Sequence, residues 1–475
     1  MTPDKRIHQR LDRLQEHLKQ EAPILIEVVD KYRELDVVAK RMGLLAPSES
    51  YATQISWWPM ISVLGTFSAG KSSFINSYAE LPLQKTGNQA VDDRFTVITY
   101  TSDSEVRTLP GLALDGDPRF PFYQISEDLE KVASGEGAKI DNYLQMKVAP
   151  SESLRGKILI DSPGFDADEQ RKSTLRITDH IIELSDLVLV LFDARHPEPG
   201  AMQDTLEHLV KGAQRRNDSS KFLFILNQID TSAKDDNLED IVASWQKALV
   251  QYGLSSGRFY VLYNKNLAVP VEDQAVWSRY EAKRDADYAE ISARMDGISI
   301  ERVYRIIGNM ESLANHIEHQ SVPKLQSAIQ TWKKRVLTSD LIFVATALVS
   351  ALIVSVIAGY WKGISFAPPW LETVQTNGYL KWSILVLIVA VAIFVHFFFR
   401  RFFARNIAKT LEKDSFGDLN AAFSKSTRFM RSIFQKKPAG WGRRSSRRLD
   451  ALRDDTDRFV QKLNDKFATP SGNSK

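Results

Sequence analysis

The sequence predicts an α/β domain built on a mainly parallel, doubly wound sheet, extended by an α-helical stalk or bundle and a two-helix transmembrane hairpin. Three observations predict it. From Met60 to about Val269, short β-branched runs alternate with helical patterns, as they do in a parallel sheet with crossover helices. Apolar residues at helical spacing flank this region on both sides. Two uninterrupted apolar stretches, Leu341 to Trp361 and Trp382 to Phe399, approach the roughly 20 residues that a bilayer-spanning helix needs.

Residues 1–50 place Ile7, Leu11, Leu14 and Leu18, then Leu25, Val28, Tyr32, Leu35 and Val38, at helical spacing. Pro23 interrupts them, so two helices or one kinked helix are expected as the N-terminal part of the stalk. Residues 51–270 form the α/β domain. Its clearest strands are Met60–Leu64, Val97–Thr101, Ile158–Asp161, Leu187–Phe192, Phe222–Asn227 and Phe259–Tyr263. Residues 271–338 return to helical spacing, with Val303, Ile306, Met310, Leu313 and Ile317 on one stripe.

Residues 339–400 carry the hairpin, with spans at 341–361 and 382–399 and a loop at 362–381. A pair of buried helices is the alternative, but two such runs rarely lack a polar face. Lys333, Lys334 and Arg335 precede the first span, and Arg400, Arg401 and Arg405 follow the second. The positive-inside rule therefore puts both large parts in the cytoplasm and the loop outside. A bacterial inner membrane is the expected location. Tyr360, Trp361, Trp370, Tyr379 and Trp382 sit where aromatic side chains anchor at headgroups. His396, one turn from Arg400, reads as an interfacial imidazole rather than a ligand or proton relay.

Residues 401–475 form a basic helical region. Positions 400–450 hold 14 Lys or Arg against 4 Asp or Glu, interleaved with Phe416, Phe423, Phe429, Ile433, Phe434 and Trp441. A solvated helical face over core aromatics is one reading. Beside a membrane span, attraction to anionic lipid is the better one, at about 1 kcal/mol per basic residue. Nucleic acid is not expected as a partner. Leu449, Leu452, Phe459, Leu463 and Phe467 predict a last helix.

Composition sets further bounds. The 475 residues include 62 basic and 59 acidic ones, so the net charge of +3 says little until its distribution is seen. A chain that is 43% hydrophobic and 25% charged is neither wholly disordered nor a transporter made mostly of apolar helix. Cysteine is absent, which excludes disulfides, zinc–cysteine sites, iron–sulfur clusters and thiol nucleophiles. Met1 to Arg6 leads into charged helical sequence, so no secretory signal peptide is expected.

The strongest chemical signal is Gly65-Thr66-Phe67-Ser68-Ala69-Gly70-Lys71-Ser72, two glycines with four residues between them, followed by Lys and Ser. A strand precedes it, and Ser73-Phe74-Ile75-Asn76 opens a helix. In such a phosphate-binding loop the glycines let backbone N–H groups turn inward around phosphates, at the positive end of a helix. Gly65, Ser68, Ala69, Gly70, Lys71, Ser72 and Ser73 are the expected phosphate contacts. Lys71 would place a cation on the β- and γ-phosphates, and the Ser72 hydroxyl would ligate Mg2+. Asp161-Ser162-Pro163-Gly164 ends a second strand, where Asp161 is placed to hold Mg2+ through water and the Gly164 N–H to sense the γ-phosphate. Lys71, Ser68 and Gly164 form the expected catalytic set. Asn227-Gln228-Ile229-Asp230 ends a third strand. A carboxylate there accepts two hydrogen bonds from guanine that adenine cannot offer, a difference worth several kcal/mol. Each tetrapeptide alone is common as a turn or cap. Three in order, each at the carboxyl end of a predicted strand, select GTP and GDP, with Asn227, Gln228 and Asp230 on the base. Asn264-Lys265 after the last strand is a weaker candidate for packing on it.

With these motifs the chain resembles the dynamin superfamily of large GTPases. Trp58-Pro59-Met60 before the loop and Asp93-Arg94-Phe95 after it are similar to the EH-domain-containing branch and its bacterial relatives. The resemblance covers roughly residues 25 to 270. It implies GTP hydrolysis, a helical bundle assembled from both sides of the GTPase domain, homo-oligomerisation and membrane remodelling. The hairpin between helices is similar to mitofusin-type and atlastin-type fusion proteins. Two features depart from the family. Phe67 stands where a polar, water-orienting residue is usual. Alignment on Asp93-Arg94-Phe95 puts Val91 and Asp92 at the usual Thr-Thr switch pair, with Thr86, Thr96 and Thr99 nearby. The expected function is thus GTP hydrolysis coupled to self-association on a membrane, for remodelling, tethering or fusion. A GTP-gated scaffold with little turnover is the alternative. A GTP-regulated ion transporter is weaker, since two short spans offer few polar pore-lining groups.

Overall fold

The computed structural model of the chain describes residues 3–65, 68–86, 94–120, 141–163, 172–196, 221–251, 258–268, 271–414 and 416–467. Strands that are apolar on both faces must be covered on both, and β6 and β7 are of this kind. The strands are β1 (Met60–Gly65), β2 (Phe95–Tyr100), β3 (Arg107–Pro110), β4 (Leu144–Ala149), β5 (Ile158–Asp161), β6 (Leu187–Asp193), β7 (Phe222–Asn227) and β8 (Arg258–Val261). They form one sheet in the order β3-β4-β2-β5-β1-β6-β7-β8. The run from β5 through β1, β6 and β7 to β8 is parallel, whereas β2 is antiparallel to β5 and β3 to β4. The mainly parallel α/β sheet expected from the sequence is present. β3 and β4 are additions to the expected strands.

Period-two alternation splits these strands between two cores. Leu187, Leu189 and Leu191 of β6 join Ile61 and Val63 on one face, while Val188, Val190 and Phe192 join Leu64 and Phe224 on the other. The helices up to His316 are α1 (Pro3–Glu21), α2 (Ile24–Met42), α3 (Lys71–Ala79), α4 (Leu112–Gly116), α5 (Lys172–Leu184), α6 (Leu238–Gln251) and α7 (Gln274–His316). Phe74, Ile75 and Tyr78 of α3, with Ile291, Met295 and Ile298 of α7, cover the first face. Ile182 of α5 and Trp245 and Leu249 of α6 cover the second. The sheet is doubly wound.

The chain divides into two compact units, one of residues His8–Glu27 and Ala52–Ile306, the other of Met1–Ile7, Val28–Tyr51 and Ile307–Lys475. The first holds the sheet. There the buried Asp186 accepts a 2.8 Å hydrogen bond from the Met60 amide at the foot of β1. It also pairs with Arg302 at 3.0 Å and Arg305 at 2.7 Å, both from α7.

The second unit is helical. A π-helical turn at Ile317–Ser321 leads into α8 (Val322–Ile357), followed by α9 (Leu371–Thr376), α10 (Gly378–Ala408), α11 (Leu419–Ser426) and α12 (Arg443–Phe467). Tyr32, Leu35 and Val38 of α2 are buried here, as are Met310 and Ile317, Leu325 and Trp332 of α8, and Leu449, Leu452, Phe459 and Leu463 of α12. Arg453 donates to Asn315 and Glu318, and Lys31 pairs with Asp455 at 2.9 Å. Among the described residues, two helices are long and apolar enough to cross a membrane, and their apolar windows are almost wholly unburied. After α8 ends at Ile357, Trp361–Lys362 pairs antiparallel with Ser365–Phe366. Asn377 caps α10 by accepting from the Tyr379 and Leu380 amides. His396 Nδ1 lies 2.7 Å from Asp340 Oδ2, tying α10 to α8.

Candidate functional site

The loop after β1 carries its glycines for two separate steric reasons. A Cβ on Gly65 would lie 2.6 Å from the Leu191 carbonyl oxygen of β6. One on Gly70 would lie 2.3 Å from Asn227 Nδ2, and Gly70 holds φ +82°, where L side chains are strained. Ser68 also has positive φ, at 58°. Strain of this kind collects where surrounding structure fixes a binding loop. Thr66 and Phe67 lie outside the described residues.

Hydrogen bonds supply that fixing. Asn227 Nδ2 at the end of β7 donates to the Ala69 carbonyl at 2.8 Å, and Gln228 Nε2 donates to the Ser68 carbonyl at 2.5 Å. Gln228 itself is left-handed, at φ 65°. Two motifs that are about 160 residues apart in sequence are thus one clasped structure. Asp230 follows within a 3-10 turn and is buried.

Lys71 opens α3 and is 8% exposed, with its ammonium donating to the Gly65 carbonyl at 3.0 Å. Burial pushes its pKa below the ordinary lysine range, and the nearby Asp161 opposes that shift. A cation this poorly solvated gains strongly from an anion placed beside it. Ser72 and Ser73, in the first turn of α3, are half-buried. Asp161 ends β5, between Val63 of β1 and Thr96 of β2 in register. Gly164 lies outside the described residues, as do Val91, Asp92 and Asp93.

Sequence reasoning missed the support behind Asp161. Gln84 Nε2 donates to Asp161 Oδ2 at 2.5 Å, and Lys147 of β4 donates to Gln84 Oε1 and, at 2.9 Å, to the Leu83 carbonyl. Asn76 of α3 brackets Gln84 from both sides, accepting from its amide at 2.7 Å and donating to its carbonyl at 2.8 Å. No local motif marks Gln84; only the fold brings it to the strand end. Thr96 is buried in β2, its hydroxyl accepting from Gln145 at 2.8 Å, while Thr86 is exposed. Lys265 is committed elsewhere, to Glu281 at 2.8 Å and Asp285 at 2.9 Å.

A glycine-walled loop, a buried lysine and a strand-end carboxylate at the carboxyl edge of a parallel sheet define a nucleotide-binding P-loop domain. Residues 61–229 match the model of the Dynamin family. That match covers about a third of the chain, and the loop after β1, Asp161 and Asn227 all lie inside it. EH domain-containing protein 1 of Homo sapiens is 25% identical over 179 residues, covering 36% of this chain and 31% of that protein. EH domain-containing protein 2 of Homo sapiens is 28% identical over 179 residues, again 36% of this chain and 30% of that one. The chain therefore spans less than a third of the length of these relatives. A solved bacterial dynamin pair, described as sensing and tethering membranes, aligns over 97% of this chain and 74% of its own. At 13% identity and a TM-score of 0.33, that alignment is too loose to equate the two folds.

Proposed function

We propose that this chain is a membrane-anchored dynamin-like GTPase of the bacterial dynamin-like branch. It hydrolyses GTP and couples turnover to self-association and to membrane remodelling, tethering or fusion. The clasp of Asn227 and Gln228 onto the phosphate loop beside buried Lys71 carries this reading. It joins the base-reading and phosphate-reading motifs in one rigid site.

The chemistry asks little covalent work of the protein. Lys71 holds charge at the β- and γ-phosphates of the substrate, and loop N–H groups with Ser68 surround the oxygens that gain charge. Gly164 and Ser73 complete this set. The donor set suits a Mg2+ ion: the Ser72 hydroxyl and the Asp161 carboxylate would hold it, with Gln84 and Lys147 fixing the carboxylate. Bound there, the ion would supply positive charge to offset that of the phosphates. Asp230 selects guanine. α8 and α10 anchor the chain, with both large parts cytoplasmic and the segment from Ser365 to Thr376 on the other face. Phe67, Val91 and Asp92 favour a second reading, a GTP-gated scaffold with scant turnover.

Two experiments test this. Lys71→Ala should abolish GTP binding, and affinity within about threefold of wild type, under about 1 kcal/mol, would sink the loop assignment. Tags at Met1 and Lys475 should be protected together and a tag between Ser365 and Thr376 oppositely; termini on opposite faces would reduce the hairpin to one span.

A further inference from the structure

We propose that the segment between α11 and α12 is a binding site for the headgroup of an anionic phospholipid, drawn from the membrane the hairpin spans. An open cavity of about 670 Å³ is lined by Arg41, Arg431, Lys436, Lys437, Arg443 and Arg444, with Trp441 in its wall. Residues 419–449 contain no Asp or Glu. Among the described residues none of the six cations pairs with a carboxylate. Six cations gathered around a cavity without counter-charge repel one another, and an anionic occupant relieves that repulsion. The wall is closely built: a Cβ on Gly440 would meet the Arg41 carbonyl oxygen at 2.2 Å.

Position identifies the source of the anion. Arg400, at the end of the second apolar run, donates to the Arg428 carbonyl at 3.3 Å and the Arg431 carbonyl at 2.7 Å. Phe397 of α10 stacks on Phe429 with ring centroids 4.2 Å apart. Lys333, just before the first run, lies over the Phe434 ring at 5.1 Å. The segment is thus pinned to the same ends of both apolar helices. From that position it exposes Phe429, Met430 and Phe434 by 65%, 90% and 67%. Exposed apolar side chains next to cations that have no carboxylate partner match the acyl-to-headgroup boundary, where apolar and phosphate groups lie side by side. A water-soluble phosphate would use the cations and leave these apolar groups in water.

The inference rests on reading α8 and α10 as membrane spans, and its test separates the two. The full chain in neutral detergent is titrated calorimetrically with dioctanoyl phosphatidylglycerol, dioctanoyl phosphatidylcholine and glycerol 1-phosphate. Phosphatidylglycerol should bind saturably and at least about tenfold more tightly than either other probe. The exposed-site variant Lys437→Gln/Arg443→Gln/Arg444→Gln should lose at least about tenfold for phosphatidylglycerol, and Phe429→Ser/Phe434→Ser should lose binding of the same lipid. The charge-keeping variant Lys437→Arg/Arg443→Lys/Arg444→Lys should bind as wild type does, which separates charge from folding. Equal binding of the two lipids, equal binding of glycerol 1-phosphate, or a glutamine variant within about threefold of wild type would overturn the proposal. Resistance of each variant to carbonate extraction from membranes reports the hairpin independently. Extraction of the wild type would sink the hairpin reading whichever way the titration falls.

Discussion

Replacing Gly70 by alanine perturbs the site with the smallest possible side chain, so its effect can be worked from geometry. Gly70 sits at φ +82°, ψ 21°, a left-handed conformation that costs an L residue about 1–2 kcal/mol. The new Cβ would also lie 2.3 Å from Asn227 Nδ2, far inside contact distance. Asn227 must then move, which forfeits its 2.8 Å hydrogen bond to the Ala69 carbonyl. Leaving a buried polar group unpaired costs about 1–3 kcal/mol. Together the effects should weaken the nucleotide-ready loop by about 2–5 kcal/mol, or at least about 25-fold in affinity at 1.4 kcal/mol per factor of ten. Gly156 supplies the control. It too is left-handed, at φ +71°, but nothing lies within 4 Å of its Cβ position. Gly156→Ala should therefore lose some stability and no nucleotide affinity. Both variants would be titrated with a fluorescent GTP analogue and melted without nucleotide. If Gly70→Ala bound within about threefold of wild type, the clasp between the two motifs would not be holding the loop.

Three further outcomes are expected. Asp230→Asn should move preference from GTP toward XTP in competition binding, and unchanged preference would make Asn227–Asp230 only a strand-end turn. Asp186→Ala strips the Met60 amide, Arg302 and Arg305 of a shared buried acceptor and should destabilise the sheet unit by about 3–5 kcal/mol in urea unfolding; a loss below about 1 kcal/mol would show that the contact is not maintained. For the switch, Val91→Thr/Asp92→Thr should raise GTP turnover, while Thr96→Ala, whose hydroxyl is already taken by Gln145, should leave it within about threefold; abolition by Thr96→Ala or Thr86→Ala, with no effect of the double variant, would overturn the register.

The phosphate loop was legible because its chemistry is local: two glycines, a lysine and a serine must follow one strand and open one helix. Strands β5, β6 and β7 were legible too, since each is an unbroken apolar run up to its last residue, and in β1 only Ser62 interrupts the run. β3 was not, for Arg107–Pro110 is an exposed edge strand with no apolar alternation and a proline at its end. β4 was not either, because Gln145 and Lys147 interrupt its apolar residues and Gln145 is buried along with Leu144 and Met146. These two polar residues hold Thr96 and Gln84, so the same side chains that obscured the strand support the site. Gln84 itself is 77 residues from Asp161, and no periodicity connects them. The pairing of His396 with Asp340 was hidden similarly, because it depends on how two apolar helices meet.

The central claim is that GTP turnover is coupled to self-association on a membrane. The most direct measurement is GTP hydrolysis by the full chain reconstituted into vesicles, followed as protein density in the bilayer is raised and read beside its oligomeric state. The account predicts turnover per molecule that climbs steeply with density, together with growth of the oligomer, and that Lys71→Ala abolishes both. Tight GTP binding with turnover that is negligible, or flat across densities, would contradict it.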